Sequence, residues 1–171
     1  MRLRKPDELA AKAAFAHGVV PSFDGLSAAS RASSYAKKMN RSFDTAHEHL
    51  LRVSLWKRGL RYRKNVRTLP GKPDIVFPRE RVAVFCDGDF WHGRDWRRLS
   101  RKLQGGTNPS YWAQKIKTNR SRDRHVVRLL RKDGWIVIRI WETDIRQDPE
   151  RAARIVESLV QRSRQGDHAI H

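Results

Sequence analysis

The chain has 171 residues, enough for one folded domain with an additional arm, and it leaves little room for a second enzyme domain. Its 37 Lys and Arg residues against 18 Asp and Glu give a formal net charge of +19, far more than solubility requires, so a polyanionic partner is predicted. A hydrophobic fraction of 39% argues against disorder, and the single cysteine, Cys86, excludes an internal disulfide and any multi-cysteine zinc site.

Nucleic acid, an acidic membrane or an acidic protein would each satisfy this charge. Arg predominates over Lys, and its planar guanidinium binds phosphates in a forked geometry, so nucleic acid is favoured. No stretch is apolar enough for a signal peptide or a membrane span. We therefore expect a cytoplasmic, nucleoid-associated protein without a membrane partner.

The first 38 residues are predicted to form a basic arm outside the main domain. A short helix at 7–17 is possible, with Asp7 as its N-cap, and residues 20–34 are rich in Ser, Ala, Gly and Pro. The folded domain is placed at 39–165, and 166–171 is expected to be a flexible tail.

Within this domain the first predicted helix runs from Asp44, a candidate N-cap, to Arg58. Leu51 and Leu55 lie four residues apart on one face, and Gly59 can end the helix.

Three short segments rich in β-branched or aromatic residues then predict strands at 60–66, 75–77 and 82–86. A basic helix between Asn108 and Gly134 follows, then an apolar strand at 135–141, typical of one buried on both faces, and a last helix at 149–162. The resulting order, α-β-β-β-α-β-α, predicts an α/β domain.

Two acidic positions flank the predicted hairpin. Asp74 opens one strand, and the next strand ends in Cys86 and Asp87. In a paired hairpin these ends can converge, so Asp74 can meet Asp87 or the backbone near Cys86. Such oxygen ligands suit Mg²⁺ or Mn²⁺. By itself the pattern is weak, because an Asp that opens a strand is more often a turn former or cap.

The segment from Asp87 to Gly93 adds a second carboxylate, Phe90, Trp91 and His92 on one turn-like stretch. A phosphodiester hydrolase needs a metal, a proton-transfer group and a means of holding DNA, and this segment has candidates for each. The alternatives are a hydrogen-bonded turn histidine at His92 and core aromatics at Phe90 and Trp91, of which one packs inside while the other is exposed.

The region from Arg94 to Arg131 is strongly basic, with two acids, Asp95 and Asp123. Its twelve basic residues are Arg94, Arg97, Arg98, Arg101, Lys102, Lys115, Lys117, Arg120, Arg122, Arg124, Arg128 and Arg131. Such a strip predicts sequence-independent phosphate contacts, with Lys115, Arg120, Arg122 and Arg124 as candidates. A basic face that serves only solubility is the alternative.

Several motifs in a fixed order carry a family resemblance. They are Asp44-Thr45, Glu48, Gly59-Leu60 to Arg63, Leu69 to Phe77, Val82 to His92, Tyr111-Trp112, Lys115-Ile116, Asn119-Arg120, Arg122-Asp123 and Gly134-Trp135 to Trp141-Glu142. Over residues 39–145 the chain resembles the Vsr (very short patch repair) family of DNA mismatch endonucleases. The resemblance implies a restriction-endonuclease-like core, with a mixed central sheet flanked by helices.

The resemblance also implies roles for individual residues. Asp74 would be the metal-binding carboxylate, the carbonyl of Cys86 a second ligand, and His92 the general base or acid. Glu48 would hold a water of the metal's hydration shell.

For DNA, the resemblance implies that Phe90 and Trp91 wedge into the base stack beside a mismatch, with Met39 entering from the other groove. Met39 sits two residues closer to Asp44 than in the family pattern, which weakens its assignment.

The chain departs from the family at two further places. Zinc-bearing members have Cys and His at the positions of Asp89, Arg94, Trp96 and Thr143, so no structural zinc is expected. Asp87 stands where the family has His, which leaves two roles open for it: third metal ligand, or partner of the phosphate region.

These observations together predict a Mg²⁺- or Mn²⁺-dependent, monomeric endonuclease that nicks one strand of double-stranded DNA. The family resemblance implies a T:G-type mismatch as its substrate, in very short patch repair, with repair proteins as further partners. A restriction-type or mobile-element nuclease of other specificity, a catalytically silent DNA-binding module and an RNA-binding protein are the alternatives.

Overall fold

The computed structural model describes residues 44–166. The predictions made for the N-terminal arm, for the helix at 7–17, for Met39 and for the residues after Gly166 lie outside this part of the chain.

The first helix, α1 (Ala46–Lys57), is capped by Thr45. The Glu48 carboxylate accepts hydrogen bonds from the Thr45 backbone N–H (3.2 Å) and hydroxyl (2.8 Å), which completes a capping box. The prediction that Asp44 is the N-cap is therefore wrong by one residue. Asp44 has a left-handed backbone (φ 55°) and forms an ion pair with Arg52 instead.

A four-stranded mixed sheet forms the centre of the domain, in the order β1 (Arg63–Lys64), β2 (Ile75–Phe77), β3 (Val82–Asp87), β4 (Ile136–Trp141). β1 and β2 pair antiparallel, as do β2 and β3, whereas β3 and β4 are parallel. The predicted restriction-endonuclease-like α/β architecture is confirmed.

The first strand is much shorter than the predicted 60–66. The Leu60 N–H donates to the Leu55 carbonyl (3.1 Å), and the Tyr62 hydroxyl donates to the Arg52 carbonyl (3.1 Å). These contacts tie the residues after α1 to the helix end, so pairing with β2 begins only at Arg63.

The connection between the parallel strands contains α2 (Asp89–His92), α3 (Trp96–Gln104) and α4 (Pro109–Lys132), and β4 is followed by α5 (Glu142–Gln147) and α6 (Pro149–Arg164). The short helices α2, α3 and α5 were not predicted. They have one to three turns, too few for an apolar period to stand out among their charged residues.

Helices cover both faces of the sheet. One face packs against α1 and α6 through residues such as Leu51, Leu55 and Val156, and the other packs against α4 through Val126 and Leu130. The prediction that the last strand is buried on both faces is wrong, because Ile140 is the one residue of β4 that is buried. Within the described residues β4 pairs with β3 alone and is an edge strand.

Because side chains alternate along a strand, successive residues of β3 face α1 and α4 in turn. Cys86 belongs to the cluster that packs against α1 and α6, whereas Phe85 belongs to the cluster that packs against α4. Groups from both helical layers can therefore meet at the carboxyl ends of β3 and β4. None of the helices within 44–166 has the length and apolar character needed to cross a lipid bilayer.

Candidate active site

Asp74 lies immediately before β2 and is tied to β3 by two hydrogen bonds. Its backbone N–H donates to the Val84 carbonyl (3.0 Å), and its carboxylate oxygen Oδ2 accepts from the Cys86 N–H (2.7 Å). The antiparallel β2–β3 pairing thus holds the carboxylate at the point where β3 ends.

The environment of Asp74 disfavours its negative charge. Burial raises the pKa of this carboxyl from 3.8 to about 7, against the lowering effect of the Cys86 N–H. The value of about 7 also includes the nearby carboxylates of Glu48 and Asp87, which raise the pKa, and Arg139, which lowers it. A divalent cation at this position would relieve the accumulated negative charge.

The donors available around Asp74 fit Mg²⁺ better than a softer metal. Burial raises the pKa of the Cys86 thiol well above its usual value, so Cys86 offers a carbonyl oxygen rather than a thiolate. Among residues 44–166, no group of three or more His, Cys, Asp and Glu side chains is arranged to hold a metal ion. The oxygen donors present here, the Asp74 carboxylate and the Cys86 carbonyl, are of the kind that Mg²⁺ binds together with several waters.

Glu48 is close to this centre, but both of its carboxylate oxygens have partners. Oε1 accepts from Thr45, and Oε2 accepts from the Asp44 N–H (3.0 Å) and from Arg52 (3.3 Å). The structure thus gives Glu48 a role at the N-terminus of α1. Its role in holding water near a metal stays a prediction.

His47, on the same turn of α1, was missed by sequence reasoning. Its Nε2 lies 3.4 Å from the Cys86 carbonyl oxygen, and its Nδ1 lies 3.6 Å from Oε1 of Glu142. It therefore connects α1 to the ends of β3 and β4. No local pattern distinguishes this histidine from a surface one in the sequence.

His92, the last residue of α2, is oriented by Asp123 of α4. Its Nδ1 lies 2.6 Å from Oδ2 of Asp123. Burial would raise the pKa of Asp123, but the hydrogen bond from His92 and the charge of Arg139 hold it below its usual value. An ionised Asp123 accepts the Nδ1 proton, which leaves Nε2 of His92 to exchange a proton with a substrate.

Asp87, the last residue of β3, is paired with Arg139 of β4. The guanidinium Nε and Nη2 lie 2.6 Å from Oδ2 and Oδ1 of Asp87, a forked ion pair. For Asp87 to bind a metal or act in catalysis, its carboxylate would have to leave Arg139 or bind both Arg139 and the new partner. The predicted role of Asp87 stays a prediction.

Asp123 and Arg139 were not proposed as site residues from the sequence, although each left a signal. Asp123 is one of two acids in a strongly basic region, and Arg139 is a charged residue within the apolar run 136–141.

The aromatic residues of α2 lie beside His92. The rings of Phe90 and Trp91 both contact the Trp112 ring, with centroids 5.5 and 5.8 Å away, but Phe90 is 37% exposed whereas Trp91 is half-buried. The Trp91 carbonyl accepts a hydrogen bond from Asn119 (2.9 Å), which anchors α2 to α4. Phe90 is therefore the aromatic side chain better placed to reach a ligand.

An open surface with several arginines lies beside Asp123 and Arg139, two residues that contact His92. An open cleft of about 320 Å³ is lined by Asp123, Arg124, Val127, Arg128 and Arg139. Of the predicted DNA contacts, Arg122 and Arg124 are exposed, whereas Lys115 and Arg120 are half-buried. The guanidinium of Arg120 lies 5.7 Å from the centre of the Trp96 ring.

Asp89, Arg94 and Thr143, three of the positions that the resemblance assigns to zinc ligands in other members, contact each other through polar groups. The Thr143 hydroxyl donates to Asp89, and Arg94 lies 3.6 Å from Asp89 and 2.6 Å from Asp144. These contacts connect α2 to α5. The absence of a structural zinc stays a prediction.

Comparisons with known proteins show which family the chain resembles and which proteins are related to it. Residues 24–98 match the family model described as DNA mismatch endonuclease Vsr. A type II nicking enzyme of Haemophilus parainfluenzae is 39% identical over 124 residues, covering 72% of this chain and 86% of the relative.

Two other relatives differ in the activity that their names give. A type II nicking enzyme of Lentzea aerocolonigenes is 42% identical over 130 residues, covering 70% of this chain and 72% of the relative. The DNA mismatch endonuclease Vsr of Escherichia coli (strain K12) is 35% identical over 103 residues, covering 60% of this chain and 64% of the relative.

Proposed function

The chain belongs to the Vsr family and is a DNA endonuclease, and we propose that it nicks one strand of duplex DNA at or beside a T:G-type mismatch. The reaction proposed is attack of water on a phosphodiester, assisted by a divalent metal ion.

One observation carries the proposal. Asp74 and His92 each contact the end of β3: Asp74 hydrogen-bonds the Cys86 N–H, and Nδ1 of His92 lies 3.9 Å from Oδ1 of Asp87, the next residue. A phosphate between Asp74 and His92 would contact a metal-binding carboxylate on one side and a proton-transfer group on the other.

The protein's own groups supply the proton transfer. With Nδ1–H donated to Asp123, neutral His92 can accept a proton on Nε2, and its protonated form can give one to the leaving oxygen. Asp123 stabilises the imidazolium that forms. Proton transfer by a positioned side chain contributes about 10²- to 10⁴-fold to rate.

We propose Asp74 and the Cys86 carbonyl as the protein ligands of Mg²⁺ or Mn²⁺. When bound, the ion supplies the positive charge that neutralises the phosphate during attack. The raised pKa of Asp74 and the oxygen donors around it support this assignment.

The aromatic side chains of α2 suit recognition of a mismatch. A mismatched step is easier to unstack than a paired one, so an exposed ring such as Phe90 can insert there at lower cost. The basic side chains of α4, among them Arg122 and Arg124, would hold the phosphate backbone of double-stranded DNA without reading its sequence.

A nicking enzyme of different specificity is the second candidate, favoured by the names of the nicking relatives. Both candidates keep the same chemistry and differ in the DNA that is cut. A catalytically silent DNA-binding module would keep the basic helix but lack nicking.

The deciding experiment is cleavage of matched and mismatched duplexes, each strand end-labelled separately, with Mg²⁺ or Mn²⁺. We expect one labelled strand to be cut, faster beside a T:G pair, and no cutting by Asp74→Ala or His92→Ala. Arg154→Gln, an exposed change on α6, serves as the matched control.

Equal cutting of matched and mismatched duplexes at one sequence would favour the second candidate. DNA binding without cutting under either metal would refute the nuclease mechanism at this site. Competition by RNA of equal length tests whether binding requires duplex DNA.

A further inference from the structure

Arg139 is the charged residue in the apolar run of β4. The parallel register places it opposite Phe85, and its guanidinium carbon lies 4.8 Å from the Phe85 ring centre. The side chain therefore extends over the α4 face of the sheet, towards the His92 site.

The guanidinium contacts both carboxylates that border His92. It forms the forked pair with Asp87, and its Nη2 lies 3.2 Å from Oδ1 of Asp123. The other oxygen of Asp123, Oδ2, is the one that accepts the Nδ1 proton of His92. Arg139 thus fixes one oxygen of the carboxylate whose other oxygen orients the imidazole.

The contact between Arg139 and His92 is of a different kind. Nη2 lies 3.3 Å from Nδ1, but in the tautomer set by Asp123 both atoms carry protons, so this is not a hydrogen bond. Arg139 therefore acts on His92 through Asp123.

The side chains of Asp87, Asp123 and Arg139 are largely buried, so the interactions between their charges are strong. The side chains of Asp87 and Asp123 are 6% and 14% exposed, and that of Arg139 is 21% exposed. Carboxylates this little exposed repel each other and a nearby phosphate strongly unless a cation lies between them. Arg139 is that cation, and it also borders the open cleft beside Arg124 and Arg128.

We propose that Arg139 is a positioning residue for the nicking reaction: by holding Asp87 and Asp123 together it fixes Asp123, and through it the tautomer and orientation of the His92 ring. This inference rests on the proposed function, because it takes His92 as the proton-transfer group. It assigns a role to a residue in β4 that the sequence motifs did not indicate.

A double-mutant cycle tests the proposal. Arg139→Gln and Asp123→Asn are each expected to slow single-turnover nicking at saturating enzyme by about 10- to 100-fold. Duplex affinity, measured by fluorescence anisotropy without cleavage, should change by less than about threefold. Because both residues act through His92, the double variant should be no more than about threefold slower than the slower single variant.

A spectroscopic readout separates positioning from folding. Long-range ¹H–¹⁵N spectra of the free protein should show the neutral His92 ring protonated on Nδ1, and Arg139→Gln should lose this preference. Arg154→Gln should change neither the spectrum nor the nicking rate. Arg139→Lys, which keeps the charge but not the forked geometry, should fold and still nick slowly.

Asp87→Asn with Arg139→Gln balances the charges and provides a folded background if Arg139→Gln alone unfolds. We expect it to remain at least about tenfold slower than wild type, because the anchor of Asp123 is still missing. Multiplicative effects in the cycle, full recovery in this charge-balanced variant, or a defect confined to DNA affinity would each overturn the proposal. If wild type itself fails to nick, the proposed function is wrong, and the ring spectra still decide whether Arg139 sets the His92 tautomer.

Discussion

Replacing Asp74 with asparagine is expected to stabilise the folded protein while it removes nicking. The wild-type carboxyl has a folded pKa of about 7 against an ordinary value of 3.8. Its neutral form is therefore the one the fold tolerates, and the stability associated with it is complete below about pH 4 and lost as pH rises through 7. Asparagine is neutral at every pH, and its amide oxygen can still accept the Cys86 N–H.

The magnitude follows from the pKa shift. A shift of about 3 units at about 1.4 kcal/mol per unit gives about 4 kcal/mol at pH 8. At pH 5 the unfolded carboxyl is already mostly ionised while the folded one is still protonated, and the difference has grown over only about one pH unit above 3.8, to about 2 kcal/mol. Four kcal/mol is between about a quarter and about four-fifths of the stability of a typical domain, which is about 5 to 15 kcal/mol.

Urea unfolding of both proteins in EDTA, at pH 5 and at pH 8, measures the difference. Glu150→Gln, which removes a partly exposed carboxylate on α6 and its surface ion pair with Arg58, is the control and should change the free energy of unfolding by less than about 1 kcal/mol at either pH. A variant no more stable than wild type at pH 8, or a gap of equal size at both pH values, would refute the electrostatic reasoning.

Three further predictions concern the metal, the wedge and the loop before Asp74. Protons and Mg²⁺ should compete for Asp74, so the apparent Mg²⁺ affinity measured by calorimetry should fall about tenfold per pH unit below about pH 7 and be constant above it. An affinity that does not change with pH would exclude Asp74 as a ligand. Phe90→Ala should reduce the ratio of kcat/KM on mismatched duplex to that on matched duplex by about tenfold. Leu50→Ala, a change at an exposed position on α1, should leave this ratio unchanged. An unchanged ratio in Phe90→Ala would show that Phe90 takes no part in recognising the mismatch. Gly71→Ala should destabilise the fold by about 2 kcal/mol more than Gly59→Ala in urea unfolding. Both glycines have φ near +75°, but only at Gly71 would the new methyl group lie 2.5 Å from Val126 Cγ1. Equal losses of unfolding free energy in the two variants would show that the contact with Val126 contributes nothing.

Much of the fold was predictable because its signals are local. The strands 75–77 and 82–86 are short, β-branched and separated by a Pro-Arg-Glu break, and the structure places them as an antiparallel pair. That pairing brings Asp74 to the Cys86 N–H, as expected for the two ends of a hairpin. The long helix between Asn108 and Gly134 carries its own start and stop signals, and the structure has it at Pro109–Lys132.

Other features depended on competition between local alternatives. Asp44 and Thr45 are both capping residues, and Glu48 selects Thr45 because it lies three positions after it. The burial of β4 was overestimated because an apolar run does not reveal whether a strand has neighbours on both edges.

The sequence by itself determined the charge, the acidic hairpin ends at Asp74 and Asp87 and the aromatic run before His92, because each depends on neighbouring residues. Only the tertiary structure decided which side chains become the hydrogen-bond and ion-pair partners of His92 and Asp87. Asp123 lies 31 residues from His92, and Arg139 lies 52 residues from Asp87. Their contacts depend on the parallel register of β3 and β4 and on the packing of α4 across the sheet, and no local periodicity encodes either of these long-range arrangements.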